Sequence, residues 1–303
     1  MMGAVGPSVS VIIPHLNQQD ALIRCLTSLK EQNFDGPVEI IIVDNGSRDR
    51  LDRVAAEFSH VLFDFEPEPG PGLARNRGAA RATADILLFI DADCRAHPGW
   101  ITAAMAGLTG VNAAAICGGD VGIDMVNPAK LTGLEAYESV FAYRQARYIS
   151  REGFSGTGNL GTTRRVFAAV GPFGGIGIAE DIDWGHRATT KGHVIRYAPN
   201  MIVYHPARTS FEDLAQKWRR HVAHDLANRR GKGQSLILWW LLAAAVIASI
   251  LPHSLMVLAS QRVSGLANKM RAIGILVRIR GFRCAEMLRQ ARSGGGGAAG
   301  WNR

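Results

Sequence analysis

Short apolar stretches alternate with segments of helical periodicity over the first two-fifths of the chain. Apolar positions spaced three and four residues apart predict helices, and short continuous apolar runs predict buried strands. The predicted strands cover residues 9–14, 38–44, 60–66 and 86–90. The predicted helices cover residues 19–32, 48–58 and 70–83. Strands that alternate with helices predict a parallel, doubly wound sheet, whose ligands bind at the carboxyl ends of the strands.

The pattern is looser in the next hundred residues, where glycines interrupt the apolar stretches. The predicted elements are, in order, a strand with a glycine break within 113–123, a long helix over 131–149, a glycine-rich loop and short helix within 154–173, a helix over 178–192 and two short strands within 193–206. We expect all of these elements to belong to one α/β domain that ends at residue 208.

The last third of the chain has a different character. A basic helix is predicted over 209–232, and residues 235–251 form an uncharged run of 17 residues that Pro252 interrupts. Seventeen residues is the lower limit for a membrane span, and continuation to Ser260 makes the length sufficient. A single span, a re-entrant hairpin broken at Pro252 and a helix lying on the membrane all agree with this pattern. A buried helical subdomain of a soluble protein is the alternative, but neighbouring Trp239 and Trp240 near one end favour membrane contact.

Charge and composition support the same division. The chain has 303 residues, 47% of them hydrophobic, and a formal net charge of +8. Most of the excess positive charge follows residue 205, and residues 266–290 are basic and partly amphipathic, as interfacial helices are. This favours an anionic membrane surface over nucleic acid. Basic residues flank both ends of the apolar run, so the positive-inside rule gives no orientation.

The cysteines and the two ends of the chain give predictions about the cellular compartment and about order at the C-terminus. The four cysteines lack metal-finger spacing and do not resemble a disulfide framework, which indicates a reducing compartment; they are Cys25, Cys94, Cys117 and Cys284. The N-terminal sequence lacks the charged and apolar regions of a secretory signal, so none is expected. The glycine-rich segment 293–300 lies in a tail, 293–303, that is predicted to be disordered.

Two carboxylates directly follow the strand over 86–90. Strand alternation points Asp91 and Asp93 to the same side, with Ala92 opposite. Like charges held this close repel each other and raise each other's pKa. A divalent cation with oxygen ligands explains the pair, and hard oxygen ligands favour Mg²⁺ or Mn²⁺ over Zn²⁺.

Seven motifs occur in an order that resembles glycosyltransferase family 2, the inverting enzymes with a GT-A fold. The resemblance covers roughly residues 8–206. The motifs are VSVIIPHLN, IIIVDNGS, GPGLARNRGA, ILLFIDADC, GTGNLGTTRRVFAAVGPF, AEDIDWGHRATTKG and VYHP. Each motif alone is weak evidence, whereas seven in sequence are specific.

The resemblance implies roles on the donor side of the site. Pro14, which ends the first strand, and Asp44 are expected at the nucleotide base, although Asp44 could equally cap a helix. Arg75 is expected at the nucleotide or its diphosphate, with Arg77 and Arg81 as alternatives. Asp93 is the expected direct ligand of the cation, and Asp91 contacts the ribose or supports the ligand. His205 is a metal or diphosphate ligand, or a structural histidine.

The resemblance also implies an acceptor side. Asp181 is the expected general base, which deprotonates the acceptor hydroxyl, and Glu180 is its rival. The alternative is that the acids there only complement the helix dipole. Gly158 and Asn159 lie in a loop that shapes the acceptor site in the family. Trp184 either stacks on a sugar face or belongs to the core.

Together these inferences predict a GT-A, Rossmann-like fold with a mostly parallel sheet over residues 1–208 and a helical, apolar and basic membrane-associating region over 209–292. The expected protein is a metal-dependent glycosyltransferase. It would move a sugar from a nucleotide-sugar donor, UDP-linked by expectation, to a glycan or lipid-linked acceptor. The expected setting is surface or extracellular polysaccharide assembly at the cytoplasmic face of the membrane.

Three other functions were weighed against this one. A metal-dependent phosphohydrolase also uses Asp-X-Asp at a strand end, but its motif usually lies on the first strand and continues into Thr or Val. A degenerate nucleotide-sugar-binding scaffold at the membrane is disfavoured by the intact Asp91, Asp93 and Asp181. Nucleic-acid binding by the basic tail lacks a recognised module, so no nucleic-acid partner is expected.

Overall fold

The computed structural model describes residues 8–292. The predictions about a secretory signal and a disordered tail fall partly or wholly on residues outside this range. The described chain packs as two compact units. The sheet unit contains the residues up to Gly122 together with Arg144–Pro206, and the helical unit contains Ile123–Tyr143 together with the residues from Ala207 onward. The segment 123–143, which sequence reasoning assigned to the α/β domain, therefore packs with the C-terminal helices.

Eight strands form one sheet in the order β3-β2-β1-β4-β7-β6-β8-β5. They are β1 Val9–His15, β2 Val38–Asp44, β3 Leu62–Phe65, β4 Ile86–Ile90, β5 Arg95–Ala96, β6 Ile116–Asp124, β7 Asn159–Thr163 and β8 Ile195–Pro206. The helices of the sheet unit are α1 Gln19–Lys30, α2 Asp52–Glu57, α3 Pro71–Arg81, α4 Trp100–Leu108, α6 Gln145–Arg147, a π-helix at Tyr148–Glu152, α7 Arg164–Val170 and α8 Glu180–Thr190. Those of the helical unit are α5 Gly133–Phe141, α9 Phe211–Gly231, α10 Leu236–Ala248, α11 Ile250–Ala259 and α12 Leu266–Arg292.

The sheet is mixed. Strands β3, β2, β1 and β4 pair in parallel, and the register sets His15 beside Asp44 at the ends of β1 and β2. Strand β7 then pairs antiparallel with both β4 and β6 and sets Asn159 opposite Ile90. The parallel half brings the carboxyl ends of β1, β2 and β4 to one edge, as the sequence pattern predicted.

Four local predictions were wrong. Strand β7 was predicted as part of a glycine-rich loop, because it has three polar residues, a glycine and only one large apolar side chain, and its burial comes from the neighbouring strands. The two short strands expected within 193–206 are one strand of 12 residues. The long helix expected over 131–149 is divided into α5, α6 and the π-helix, and β1 continues one residue past Pro14.

The core behind the site is aromatic. Phe89 of β4 packs edge-on against Phe173, with ring centroids 5.4 Å apart, and Phe173 lies 5.3 Å from Trp184 of α8. Trp184 is only 1% exposed, and its indole Nε1 donates a hydrogen bond to the carbonyl of Gly171. Trp184 therefore belongs to the core and anchors α8, and the alternative of stacking on a sugar does not apply.

Helix α3 lies close against the sheet because it has no side chain at its contact point. A Cβ atom at Gly78 would lie 2.4 Å from Cγ2 of Ile12 on β1. The buried face of α3 also carries Ala74 and Arg75. This close approach fixes the position of Arg75 relative to the ends of the parallel strands.

The helical unit is built around α12. Apolar side chains of this helix pack against α5, α9, α10 and α11, and its buried members include Ala272, Leu276 and Ile279. Inside the unit, the buried carboxylate of Glu138 on α5 pairs with the guanidinium of Arg208. Helices α5 and α9 both begin with capping boxes, at Thr132 and Ser210.

Within residues 8–292, one helical segment, Leu236–Ala259, is long and apolar enough to cross a membrane by length and composition. It comprises α10 and α11, and its mean hydropathy reaches 2.2. Only 11% of its most apolar stretch is buried, whereas the core helix of a soluble protein is mostly buried. Most of the segment therefore presents an apolar surface, while Trp239, Ala243 and Val257 pack into the helical unit.

Candidate active site

The first part of the site lies where β1 and β2 end. The carboxylate of Asp44 accepts a hydrogen bond from the Ser47 hydroxyl at 2.5 Å and lies 3.2 Å from Nδ1 of His15. Burial lowers the pKa of His15 although Asp44 opposes the shift, so the imidazole is neutral at pH 7. Asp44 caps no helix, because α2 begins only at Asp52. Its hydrogen bonds instead hold the turn that follows β2.

A cavity of about 460 Å³ adjoins this turn. Its lining is polar and is drawn from the segments after β1 and β2: His15, Asn17, Gln19, Asp20, Ser47, Arg48 and Asp49. Pro14 is half-buried in β1, opposite Val43 of β2. The end of the parallel strands therefore offers a polar recess beside Asp44.

The second part of the site is a buried arginine that joins two carboxylates. Arg75 is only 3% exposed. Its Nη2 donates to Oδ1 of Asp91 at 2.5 Å, and its Nη1 donates to Oε1 of Glu180 at 3.1 Å. A buried guanidinium needs such partners, because unpaired charge is costly away from water. Arg75 therefore ties the end of β4 to the first residue of α8.

The other two arginines of the same motif point elsewhere. Arg77 bonds the carboxylate of Asp64 through Nε and Nη2, both at 3.0 Å, and Arg81 lies 3.4 Å from the same carboxylate. Of the three candidates, only Arg75 reaches the site.

The third part of the site is Asp93 with His205. Oδ2 of Asp93 lies 3.3 Å from Nε2 of His205, at the end of β8. Nδ1 of His205 lies 2.7 Å from the carbonyl of Pro206, which can only accept, so Nδ1 carries a hydrogen. If Nε2 carries no hydrogen, its lone pair faces the carboxylate of Asp93. Two acceptors at this distance require either a second proton or a shared cation.

The donor atoms here suit a hard divalent cation. Burial raises the pKa of Asp93, and Asp91 adds to the rise while His205 opposes it. Ligand atoms of Asp91, Asp93 and Cys94 lie within 4.8 Å of one another. Burial holds the pKa of the Cys94 thiol well above its usual value, and sulfur is a soft ligand that a hard cation does not prefer. Two carboxylates and one imidazole remain, a set that fits Mg²⁺ or Mn²⁺.

Gly158 and Asn159 occupy the start of β7, beside this cluster. A Cβ atom at Gly158 would lie 2.3 Å from Oδ2 of Asp91, so the absence of a side chain makes room for the carboxylate. Asn159 is fully buried, and its amide bonds the carbonyls of Asp120 and Met201 and the indole of Trp100. The expectation that Asn159 shapes the acceptor site was wrong, because it cross-links the sheet.

The fourth part of the site is the acidic start of α8. Glu180 is bonded to Arg75, and Asp183 pairs with Arg187 one turn later, at 2.9 Å. Asp181 makes no ion pair with any described residue, and its carboxylate accepts the N–H of Ile182. Burial raises the pKa of Asp181; the hydrogen bond from the Ile182 N–H opposes this rise, Glu180 adds to it, and Arg75 opposes it least. Of the three acids, Asp181 is the one left available to take a proton.

Sequence reasoning therefore identified side chains that the fold brings together. It missed the partnership of Arg75 with Glu180, two residues that are 105 positions apart in the chain. It also missed His15, which lies at the end of β1 beside Asp44. The position of His15 at a strand end was the available signal.

Comparison with known proteins agrees with this arrangement. The family model for glycosyl transferase family 2 matches residues 10–169. Glycosyltransferase AglE of Haloferax volcanii is 32% identical over 220 residues, which is 70% of this chain and 71% of AglE. The pre-mycofactocin glycosyltransferase of Mycobacterium tuberculosis is 28% identical over 234 residues, which is 70% of this chain but only 46% of that protein.

Solved structures with the same fold include two glycosyltransferases. The mannosyltransferase PcManGT from Pyrobaculum calidifontis, in complex with GDP-Man and Mn²⁺, matches with a TM-score of 0.54 and 16% identity, over 97% of this chain and 77% of PcManGT. Glucosyl-3-phosphoglycerate synthase from Mycobacterium tuberculosis, in complex with UDP, matches with a TM-score of 0.51 and 21% identity, over 72% and 78% of the two chains. The chain belongs to glycosyl transferase family 2 and is a glycosyltransferase with a GT-A fold.

Proposed function

We propose that this glycosyltransferase is metal-dependent and inverting, and that it moves a sugar from a nucleotide-sugar, UDP-linked by preference, to a glycan or lipid-linked acceptor. The observation that carries the proposal is the bridge made by Arg75. It ties Asp91 of the cation cluster to Glu180, the neighbour of Asp181. Such a bridge would keep the cation cluster, which faces the leaving group, at a fixed distance from the start of α8, which carries the proposed base.

The recess beside Asp44 is the proposed site of the nucleotide base. A carboxylate there accepts the imide N–H of uracil, a hydrogen bond that is costly to lose once buried. Ser47 and His15 hold the carboxylate in place, and half-buried Pro14 offers an apolar contact to the base. Two solved relatives of the fold hold GDP-Man and UDP, so the choice of UDP is the finer part of the proposal.

Asp93 and His205 are the proposed cation ligands, with Asp91 beside them as a ligand or a contact to the ribose. The carboxylate of Asp91 already accepts a hydrogen bond from Arg75, which leaves Asp93 as the stronger ligand. When bound, Mg²⁺ or Mn²⁺ would neutralise charge on the departing nucleoside diphosphate. Asp93 and His205 would hold this cation.

Arg75 has a proposed role that differs from direct diphosphate binding. Both of its terminal nitrogens are engaged by carboxylates, and the side chain is buried. Arg75 therefore acts as a positioning residue, which orients Asp91 and Glu180. This role also distinguishes Glu180 from Asp181, because Glu180 is held as the anchor of α8.

Asp181 is the proposed general base. It takes the proton of the acceptor hydroxyl while that oxygen forms a bond to the anomeric carbon. The bond from the anomeric carbon to the diphosphate oxygen breaks on the opposite face, and its electron pair leaves with the nucleoside diphosphate. Attack from the opposite face inverts the anomeric centre. The raised pKa makes the carboxylate of Asp181 a stronger proton acceptor than an ordinary aspartate.

The proposed setting is the cytoplasmic face of a membrane, in surface or extracellular polysaccharide assembly. The exposed apolar segment Leu236–Ala259 and the basic residues around it support membrane association. A membrane position would bring the enzyme to a lipid-linked acceptor.

The test is donor turnover by the purified full chain, with a panel of nucleotide-sugars and Mg²⁺ or Mn²⁺. Release of nucleoside diphosphate from one donor, dependent on metal and lost in Asp93→Asn and Asp181→Asn, is the expected result. Turnover that persists in Asp181→Asn would overturn the base assignment. Binding of nucleotide without turnover in the presence of candidate acceptors would favour the scaffold alternative.

A further inference from the structure

The helical unit contains a basic cavity of about 530 Å³. It opens between α9, the segment that follows α9, α10 and α12. Its charged lining residues are four cations and one acid: Arg229, Lys232, Arg280, Arg283 and Asp225. The excess of positive charge suits an anion that carries several acceptor oxygens.

Arg283 is a cation of this cavity that a neighbouring ring holds in place. Its guanidinium lies over the ring of Trp218, 3.6 Å from the ring centroid. Burial, and then the neighbouring Arg280, lower the pKa of Arg283 to about 10. An anion in the cavity would relieve the repulsion between the two arginines.

Helix α10 lines the cavity with one face and presents exposed apolar side chains on its other face. Trp239 and Val246 line the cavity from α10. Other side chains of α10 and α11 are among the most exposed apolar groups of the protein: Ile237 at 73%, Leu241 at 62%, Leu251 at 71% and Leu255 at 59%. A free anion needs no such surface. A ligand with an anionic head and a long hydrocarbon chain uses both features at once.

The charge of the whole unit favours the same ligand. Residues 207–292 carry fifteen Lys or Arg and four Asp or Glu. Basic groups next to an apolar segment are attracted to anionic lipid headgroups. The cavity differs from a general basic surface because four of its cations line the same cavity.

We propose that this cavity binds the phosphate headgroup of an anionic membrane lipid, with the hydrocarbon chains of that lipid against the exposed apolar side of α10 and α11. The inference rests on the membrane association within the proposed function and deepens it. It makes no claim on the donor, the cation or the acceptor.

The first experiment is vesicle flotation of the full chain, with phosphatidylcholine vesicles that contain or lack phosphatidic acid. The cavity variant is Arg229→Gln combined with Lys232→Gln. The matched control is Arg262→Gln combined with Lys269→Gln, which removes the same charge outside the cavity lining. We expect the cavity variant to lose roughly 30-fold in partitioning to phosphatidic acid vesicles, at about fivefold per cation, and the control to lose much less. Equal losses, or no preference for phosphatidic acid, would overturn the proposal.

The second experiment separates a lipid from free phosphate. The melting temperature of the full chain is measured with soluble dihexanoyl phosphatidic acid and, at the same concentration, with inorganic phosphate. We expect a larger rise with the lipid, and no rise with either in Arg283→Met. An equal rise with inorganic phosphate would assign the cavity to a small anion and overturn the lipid assignment. If Arg283→Met fails to fold, the same melting-temperature measurement is made on the variant that combines Arg229→Gln with Lys232→Gln.

Donor turnover, measured on the same samples, distinguishes the lipid-binding proposal from the proposed glycosyl transfer. The cavity variants should release nucleoside diphosphate from the donor at the unsubstituted rate, because their residues lie outside the sheet unit. Failure of turnover in the unsubstituted protein, together with headgroup-selective binding, would count against the proposed function alone.

Discussion

The active-site region of the sheet unit and the basic cavity of the helical unit treat charge in different ways. At the active site, the buried guanidinium of Arg75 is paired with the carboxylates of Asp91 and Glu180. At the cavity, Arg283 lies partly buried, and the neighbouring Arg280 repels it. Internal pairing fixes geometry, which a reaction needs. Uncompensated charge leaves binding energy for a partner, which attachment to a membrane needs.

The strongest test of the sheet unit as the reacting half is Asp181→Asn. Loss of a general base should lower kcat by roughly 10²- to 10⁴-fold and leave donor binding intact. Steady-state kinetics and nucleotide titration measure the two effects. The matched control is Asp183→Asn, because Asp183 is paired with Arg187 on the same helix and should change kcat little. Similar losses of kcat in both variants would show that activity depends on the acidic start of α8 as a whole and not on Asp181 as a base.

The pH dependence follows from the direction of the shift at Asp181. Burial raises the pKa of Asp181, so this base becomes protonated at a higher pH than an ordinary aspartate does. Below that pKa, the rate should fall about tenfold for each unit of pH.

The raised pKa of Asp181 also affects the free energy of unfolding, in the opposite direction from the lowered pKa of a salt-bridged aspartate. A carboxyl whose pKa is raised on folding favours the folded state at low pH, and this contribution is lost as pH rises through the folded-state pKa. Asp181→Asn should therefore melt no lower than the parent at neutral pH while its activity collapses.

The next largest effect is expected at the cation cluster. Asp93→Asn removes a charged ligand atom and should lower activity on the order of 100-fold at a fixed metal concentration. Part of the loss should return as Mn²⁺ is raised, because His205 and Asp91 remain. The control is Asp85→Asn, an exposed acid at the other end of β4. Loss of activity that no metal concentration restores, in a variant that still binds metal, would contradict the ligand role.

Arg75→Met tests the internal pairing itself. It leaves two carboxylates without their shared donor, so we expect about 1–3 kcal/mol of destabilisation and a fall in kcat larger than any change in KM. Arg77→Met is the comparison, since its pair with Asp64 lies at the surface and should contribute much less to stability. Chemical denaturation with both variants gives the difference. Equal destabilisation would remove the distinction between a buried bridge and a surface pair.

The smallest expected effect concerns the helical unit. Ile237→Gln combined with Leu251→Gln removes exposed apolar surface and should weaken vesicle binding by about tenfold or more. Stability should be nearly unchanged, because both side chains are largely exposed. Turnover of a soluble donor should also be unchanged. A large loss of stability would indicate that these side chains of α10 and α11 are buried in the folded protein, which would contradict the exposed apolar surface assigned to the helical unit.

Several elements of this picture were readable from sequence because their signal is local. The apolar run before Asp91, the alternation of strands and helices, and the helical start at Glu180 each depend on neighbouring residues. Strand β7 was missed for the opposite reason. Its residues have weak strand preference, and only pairing with β4 and β6 makes them a strand.

The sequence by itself determined which chemical groups are present and at which strand and helix ends they occur: Asp44, Asp91, Asp93 and Asp181. It also determined the apolar and basic character of the last third. Only the tertiary structure decided which of these groups meet. Arg75 was one of three similar arginines until packing of α3 on β1 turned it toward Asp91 and Glu180, and Asn159 became a sheet cross-link because burial left its amide only internal partners. Partners distant in the chain are set by packing and by the need to satisfy buried polar groups, and neither leaves a mark in a local pattern.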